Sequence, residues 1–205
     1  FVCYIKLIKF IYYLTIGDFM SDLTITNAGV TVATGAPSVK SNNQKLTQMT
    51  MRVVNVQPLN TTGAHEANDL LFNSTKIPNA VSVAGGSGII QSVTAISATG
   101  NVGAIDIYFI QESSLGTAPD MGTLKDFVAS SSDCSDADMK LQLGTANIGN
   151  FEDMGGASVG YASNVGVMIQ AIEGSRDVYV WGITRSTDNP GSGQDFTIRL
   201  GIIQD

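Results

Sequence analysis

Short apolar runs rich in Val, Ile and Thr, each soon closed by Gly, Asn, Asp, Ser or Pro, recur from Leu23 to the C-terminal end of the chain. That rhythm constrains the fold more than any other feature, because it has period two and leaves little room for amphipathic helices. The clearest case is AIDIYFIQES (Ala104–Ser113), where Ile105, Ile107 and Phe109 share one face and Asp106, Tyr108 and Ile110 the other. DLTIT and VTVAT open the series, followed by the polar stretch GAPSVKSNNQK. LTQMTMRVVNV (Leu46–Val56) reads as a long strand. Met49, Met51 and Val53 take one phase and Val54 and Val56 the other, which predicts a bulge or burial of both faces.

LLF, AVSV and GIIQSVTAIS follow, the last two flanking the glycine turn Gly85-Gly86-Ser87-Gly88, with Pro78 at an edge or before a strand. LQLGTANI, VGVMIQAI, DVYVWGIT and DFTIRLGII complete the set, the last pair joined by RSTDNPGSGQ. Helix signals are confined to two short turns near Leu124–Ala129 and Asp136–Lys140, where Ser and Asp stand at N-cap positions. Eight to ten strands with one or two helical turns predict an all-β, antiparallel β-sandwich, and the jelly roll is its eight-stranded version.

Composition narrows function. Charged residues make up 14% of the chain and the net charge is −7, with no basic cluster to offset it. Such a surface repels phosphate, which argues against a nucleic-acid partner. The two cysteines, Cys3 and Cys134, lie far apart, and Cys3 falls in a doubtful leader. They provide neither a disulfide framework nor a cysteine-based zinc site.

That leader is FVCYIKLIKFIYYLTIGDF, residues 1–19. Lys6 and Lys9 interrupt its apolar run, and no small-residue cleavage site precedes Met20, so neither a membrane span nor a signal peptide fits. Before Gly17 the stretch is dominated by Phe, Tyr, Ile, Lys and Leu, residues with AT-rich codons. Gly17-Asp18-Phe19-Met20 can be encoded GGA-GAY-TTY-ATG, which sets a ribosome-binding element before a start codon. The expectation is an untranslated upstream region read as protein, with no membrane partner. Residues 20–45 then form an N-terminal arm or strand pair, and residues 46–205 the sandwich domain.

Candidate chemistry is sparse. AGGSG (Ala84–Gly88) precedes a strand rather than a helix, so a tight turn is expected instead of a phosphate loop. Asp133, Asp136 and Asp138 could collect a cation but lack the EF-hand spacing, and capping of a short helix explains them. His65 is the only histidine and lies in a polar loop beside Glu66 and Asp69, where an exposed position is expected. No nucleophile signature surrounds Cys134 or any serine. In DVYVWGITRS, Tyr179, Trp181 and Ile183 alternate with Val178, Val180 and Gly182. One set is core. If the other is exposed, Tyr179 and Trp181 would form a platform for a sugar or, preferably, a subunit contact. No catalytic, cofactor-binding or metal-ligating residue is assigned.

The runs KIPNAVSVAGGSGIIQSVTAIS, AIDIYFIQES and DVYVWGITRSTDNPGSGQDFTIRLGIIQD, with the opening MSDLTITNAGVTVATG, resemble small virion structural proteins of tailed bacteriophages, often marine ones. The resemblance is one of pattern and spans most of Met20–Asp205. It implies a β-sandwich on the virion, often homo-oligomeric and without enzymatic activity or cofactor. The foremost role is a capsid decoration or cement protein that contacts the major capsid protein or other virion subunits. A tail or fibre protein binding host receptor or glycan is the alternative. Either would be made in the host bacterial cytoplasm.

Overall fold

The computed structural model describes residues 23–27, 30–34, 49–98, 102–124 and 135–204. The chain divides into two compact units, Phe1–Thr47 and Gln48–Asp205. The expected leader, Cys134, Asp133 and nearly all of the helical turn near Leu124–Ala129 lie outside the described residues. In the first unit, strands β1 (Leu23–Asn27) and β2 (Val30–Thr34) pair antiparallel, with Ile25 opposite Val32.

The second unit is an antiparallel β-sandwich. One sheet has four strands in the order β4 (Leu70–Ile77), β10 (Val178–Thr184), β6 (Ile105–Ile110) and β7 (Gln142–Ile148). The other has five, in the order β3 (Thr50–Val56), β11 (Phe196–Gln204), β5 (Ser87–Ser97), β9 (Ser158–Gln170) and β8 (Phe151–Asp153). The pairings are nested: β6 with β7, β5 with β9, β4 with β10, and β3 with β11. A long hairpin of eight strands has rolled up on itself, closed by the contacts β10–β6 and β11–β5. That is the jelly roll, and the sequence expectation of an all-β sandwich holds.

Alternation explains the core. Val54, Val56, Ile90, Val93, Ala95, Phe196, Ile198, Leu200 and Ile202 point inward from the five-stranded sheet. They meet Leu71, Phe72, Ile77, Ile105, Ile107, Phe109, Val178 and Val180 from the other sheet. Each such side chain contributes about 1.5–3 kcal/mol of transfer free energy when fully buried. A second cluster lies on the far side of the four-stranded sheet, where Leu70, Ile110, Met121, Tyr179, Trp181 and Ile183 pack with Tyr108, Leu124 and Leu141. The connection after β6 thus folds over that sheet and covers it.

Three local expectations are corrected. AVSV (Ala80–Val83) is not a strand: Ala80 and Val81 are buried, and Val81 donates its amide to the Arg176 carbonyl at 3.2 Å, so the segment packs as a loop. β3 has neither a bulge nor two buried faces. Its register with β11 runs unbroken from Thr50 to Val56, with Val54 and Val56 inward and Met51 and Val53 in solvent. Register shifts fall elsewhere: between Ile90 and Ser92 in the β5–β9 pairing, between Gly201 and Ile202 in the β11–β5 pairing, on either side of Gly182 in the β10–β4 pairing, and between Phe109 and Ile110 in the β6–β7 pairing. Trp181 and Tyr179 are buried as well, as described below.

The short helix α1 (Asp136–Met139) matches expectation. Its N-cap Ser135 accepts from the Asp138 amide at 3.1 Å, and Asp136 and Asp138 occupy the acid-favouring first turn. Asp136 also pairs with Lys140 at 3.2 Å on the exposed surface.

Candidate functional site

The motifs that invited a chemical reading are occupied by the fold. Gly85 adopts φ +71°, open to glycine at little cost, and donates to the Ser175 carbonyl at 2.8 Å; Gly86 donates to Val83 at 3.0 Å. The amides of AGGSG therefore build a turn into β5. Trp181 is 2% exposed, stacks on Tyr108 with centroids 4.3 Å apart, and directs its indole N–H to Gln142 at 3.4 Å. The expected aromatic platform is core because β10 is a central strand covered on both faces. Burial pushes the Tyr179 phenol above its ordinary range, partly countered by Lys76.

His65 is also a correction. It is buried, not exposed: its amide donates to the Asp188 carbonyl at 2.7 Å, and its Nε2 lies 3.3 Å from the Thr61 hydroxyl. The loop after β3 clasps the loop after β10, through Asn60 to Gly193 at 3.0 Å and Gly63 to Pro190 at 3.1 Å. Neighbouring acids are engaged elsewhere. Asp69 accepts from the Glu66 amide at 2.7 Å, and Asp188 accepts from Gly103 at 2.7 Å and from Ser186 at 3.2 Å. Nδ1 of His65 meets no hydrogen-bond partner among the described residues. The geometry is that of a loop clasp, and among the described residues no nucleophile, base and acid stand in line around His65. Nearby, Arg185 ties the same end together, donating to Asp106 at 2.6 Å and to the Tyr108 hydroxyl at 3.0 Å and also bonding Asn68.

What the fold leaves open is the outward face of the five-stranded sheet. Register places Met51 opposite Ile203, Ile203 opposite Ile89, and Ile89 opposite Met168. A single apolar row therefore crosses four strands, about 15 Å at the usual strand spacing. Met51 is 74% and Met168 71% exposed, and Met49, Val53 and Tyr161 extend the patch. Arg199 stands on the same face, opposite Asn55 and Thr94, and donates to the Asn55 side chain at 3.2 Å. In a chain with 18 carboxylates, β3, β5, β9 and β11 contain none, and their only charged residues are Arg52 and Arg199.

Depletion of acids with enrichment of Met, Tyr and Arg is the composition of a protein-contact core, not of an ordinary solvated face. The two faces of the sandwich thus differ: one is covered by the chain's own connection, the other is bare among the described residues. Sequence reasoning missed the row because it joins residues from four separate strands. The one available signal was the phase of Met49, Met51 and Val53 against that of Val54 and Val56, read as a bulge or burial of both faces.

Among the described residues no helix is long and apolar enough to cross a membrane, and no group of three or more His, Cys, Asp or Glu side chains is placed to hold a metal ion. No family model matches the chain, and no curated protein matches it. Among solved structures it is similar to a chain in the structure of infectious bursal disease virus Gx strain, at 7% identity and a TM-score of 0.32. The match covers 90% of this chain and 37% of that one, so the chain spans little more than a third of the viral chain's length.

Proposed function

We propose that the chain is a non-enzymatic virion structural protein, a decoration or cement protein that binds the head of a tailed bacteriophage. The observation that carries this reading is the apolar, acid-free row Met51–Ile203–Ile89–Met168, exposed at both ends, on a sheet whose opposite partner carries a buried cluster on its outer face. Such a face gains free energy when another protein removes it from water. The jelly roll supports the reading, since this architecture recurs in viral capsid domains, although lectins and cupins share it. The resemblance to phage structural proteins supports it from the side of the sequence. The partners are the major capsid protein or neighbouring virion subunits, together with further copies of the chain. Nucleic acid and membrane are not among them, and the site of action is the virion. Tyr179 and Trp181 are buried, so they support neither a subunit contact nor a glycan platform, and the tail or fibre alternative has no exposed aromatic pair to draw on there.

The test is reconstitution. Capsids of the parent phage lacking this protein are mixed with the purified chain, sedimented, and the bound copies counted. Saturation at a fixed number per capsid, abolished by Met168→Glu in a variant that still folds, is the expected result. Equal binding by the variant, or binding to host cells in place of heads, overturns the proposal.

A further inference from the structure

Resting on the virion reading, the inference concerns how copies of the chain meet one another. β3 is the terminal strand of its sheet, and among the described residues its backbone bonds to β11 alone. Every second residue of such a strand presents an unpaired N–H and C=O outward, a template for another strand. Natural sheets blunt such an edge with Lys, Pro, a bulge or a very short strand. Of these β3 has no Lys, Pro or bulge and is not short: it is TMRVVNV, seven residues in unbroken register, and a single charge in the phase of Val54 and Val56 is its one protection. Its one charge, Arg52, is drawn aside by a hydrogen bond to the Asn79 carbonyl at 3.1 Å. The other terminal strand, β8, has three residues, two of them acidic, and is blunted by length and charge.

We propose that β3 of one copy pairs antiparallel with β3 of a second copy, joining two five-stranded sheets into one. Three observations select a second copy as the occupant. An edge of amides and carbonyls left to water is a template for another extended strand, and a strand paired antiparallel with its own twin is self-complementary and closes at two copies. Met49, Met51 and Val53, all more than 60% exposed, fall in one phase. Antiparallel pairing in that phase sets them beside the same residues of the second copy, on the outward face. Finally, two chains of net charge −7 repel each other over most of their surface, and the β3 end of the sheet, where β3 and its neighbour β11 carry no acid, is where that repulsion is least. One strand pair with its side chains buries less than the roughly 1,200 Å² of a standard interface, so the dimer is weak in solution and strengthened by crowding on a lattice. Ile203, Ile89 and Met168 remain outside the strand pair, so the dimer presents a doubled apolar row to the capsid.

Sedimentation equilibrium of the full chain over a wide concentration range, with hydrogen exchange at low and high concentration, tests this. The expected result is a monomer–dimer equilibrium in which β3 amides gain protection with concentration. Val53→Lys, a change at an exposed position, weakens the dimer at least about tenfold by setting lysines at the joined edges. Met168→Lys leaves the dimer intact. A monomer at every concentration overturns the proposal, and so does a dimer abolished by Met168→Lys without β3 protection, which would be a face-to-face contact. Capsid binding by a strictly monomeric chain would refute the pairing and leave the virion reading standing. A β3-paired dimer that ignores capsids would do the reverse.

Discussion

Gly182→Ala is the substitution for which the structure gives the sharpest energetic expectation. Gly182 sits in central strand β10, opposite Phe72 of β4. A methyl group built there would lie 2.4 Å from Phe72 Cε1 and 2.5 Å from Cζ, where ordinary contact needs about 3.4–4 Å. The ring must therefore retreat by roughly 1 Å, and Phe72 is fully buried in a core whose close packing resists such a shift. Overpacking of this kind costs about 1–3 kcal/mol. Replacing a strand glycine by alanine returns about 0.5–1 kcal/mol through the unfolded chain. The net loss is about 1–2 kcal/mol, or a fall in Tm of roughly 2–8 °C for a domain of this size. Equilibrium urea unfolding measures it, repeated in a Phe72→Leu background. There the ring is gone and only the gain of about 0.5–1 kcal/mol remains, so Gly182→Ala should stabilise slightly and the coupling should equal the overpacking cost of about 1–3 kcal/mol. Equal cost in both backgrounds would refute the clash. A stabilising Gly182→Ala in the parent chain would refute the register of β4 against β10.

Other outcomes follow from the same packing. Trp181→Ala should cost about 3–5 kcal/mol, read by chemical denaturation, because it empties the space between Tyr108 and the covering connection. The fluorescence of this sole tryptophan should be blue-shifted in the folded chain and move red on unfolding. His65→Ala should destabilise by about 1–3 kcal/mol through the loop clasp while leaving capsid binding unchanged, measured by thermal melts alongside the sedimentation assay. Asp120 accepts from the Asn73 side chain at 2.7 Å and from the Gly122 amide, which hold its carboxyl below the ordinary 3.8. Asp177 is held low too: burial pushes it up, but the Asn79 amide and Lys76 outweigh that. A carboxyl depressed by folding contributes stability above its unfolded pKa and loses it as pH falls through the folded value. Stability should thus decline below about pH 4, and Asp120→Asn should shrink the difference between pH 6 and pH 3.

The sandwich was legible because period-two alternation and turn residues are local, and each strand carries its own phase. β8 was not, since FED has no alternation and exists through pairing with β9. The AVSV segment erred the other way, having strand residues but no neighbouring strand to pair with. DVYVWGIT held an unused clue: an apolar run without polar alternation marks a strand buried on both faces. His65 lies among polar neighbours and is buried by a loop more than a hundred residues away, which no local pattern can announce. The apolar row has the same character, because register, not sequence proximity, aligns Met51, Ile203, Ile89 and Met168.

The nested pairing also governs the order in which the molecule can assemble during synthesis. β10 lies between β4 and β6, and β11 lies between β3 and β5. Until residues 178–204 have left the ribosome, each sheet lacks its second strand, and the terminal strands β3 and β4 have no strand to hold them. Folding must therefore wait for the last strands, and the pairs it finally makes, such as Thr50 with Gln204, close loops spanning the whole unit. Such topology folds slowly and exposes unpaired strands meanwhile. Nascent chains stopped short of β10 should accumulate as aggregation-prone fragments, and the ribosome, by holding the C-terminal strands back, acts as the final gate on the fold.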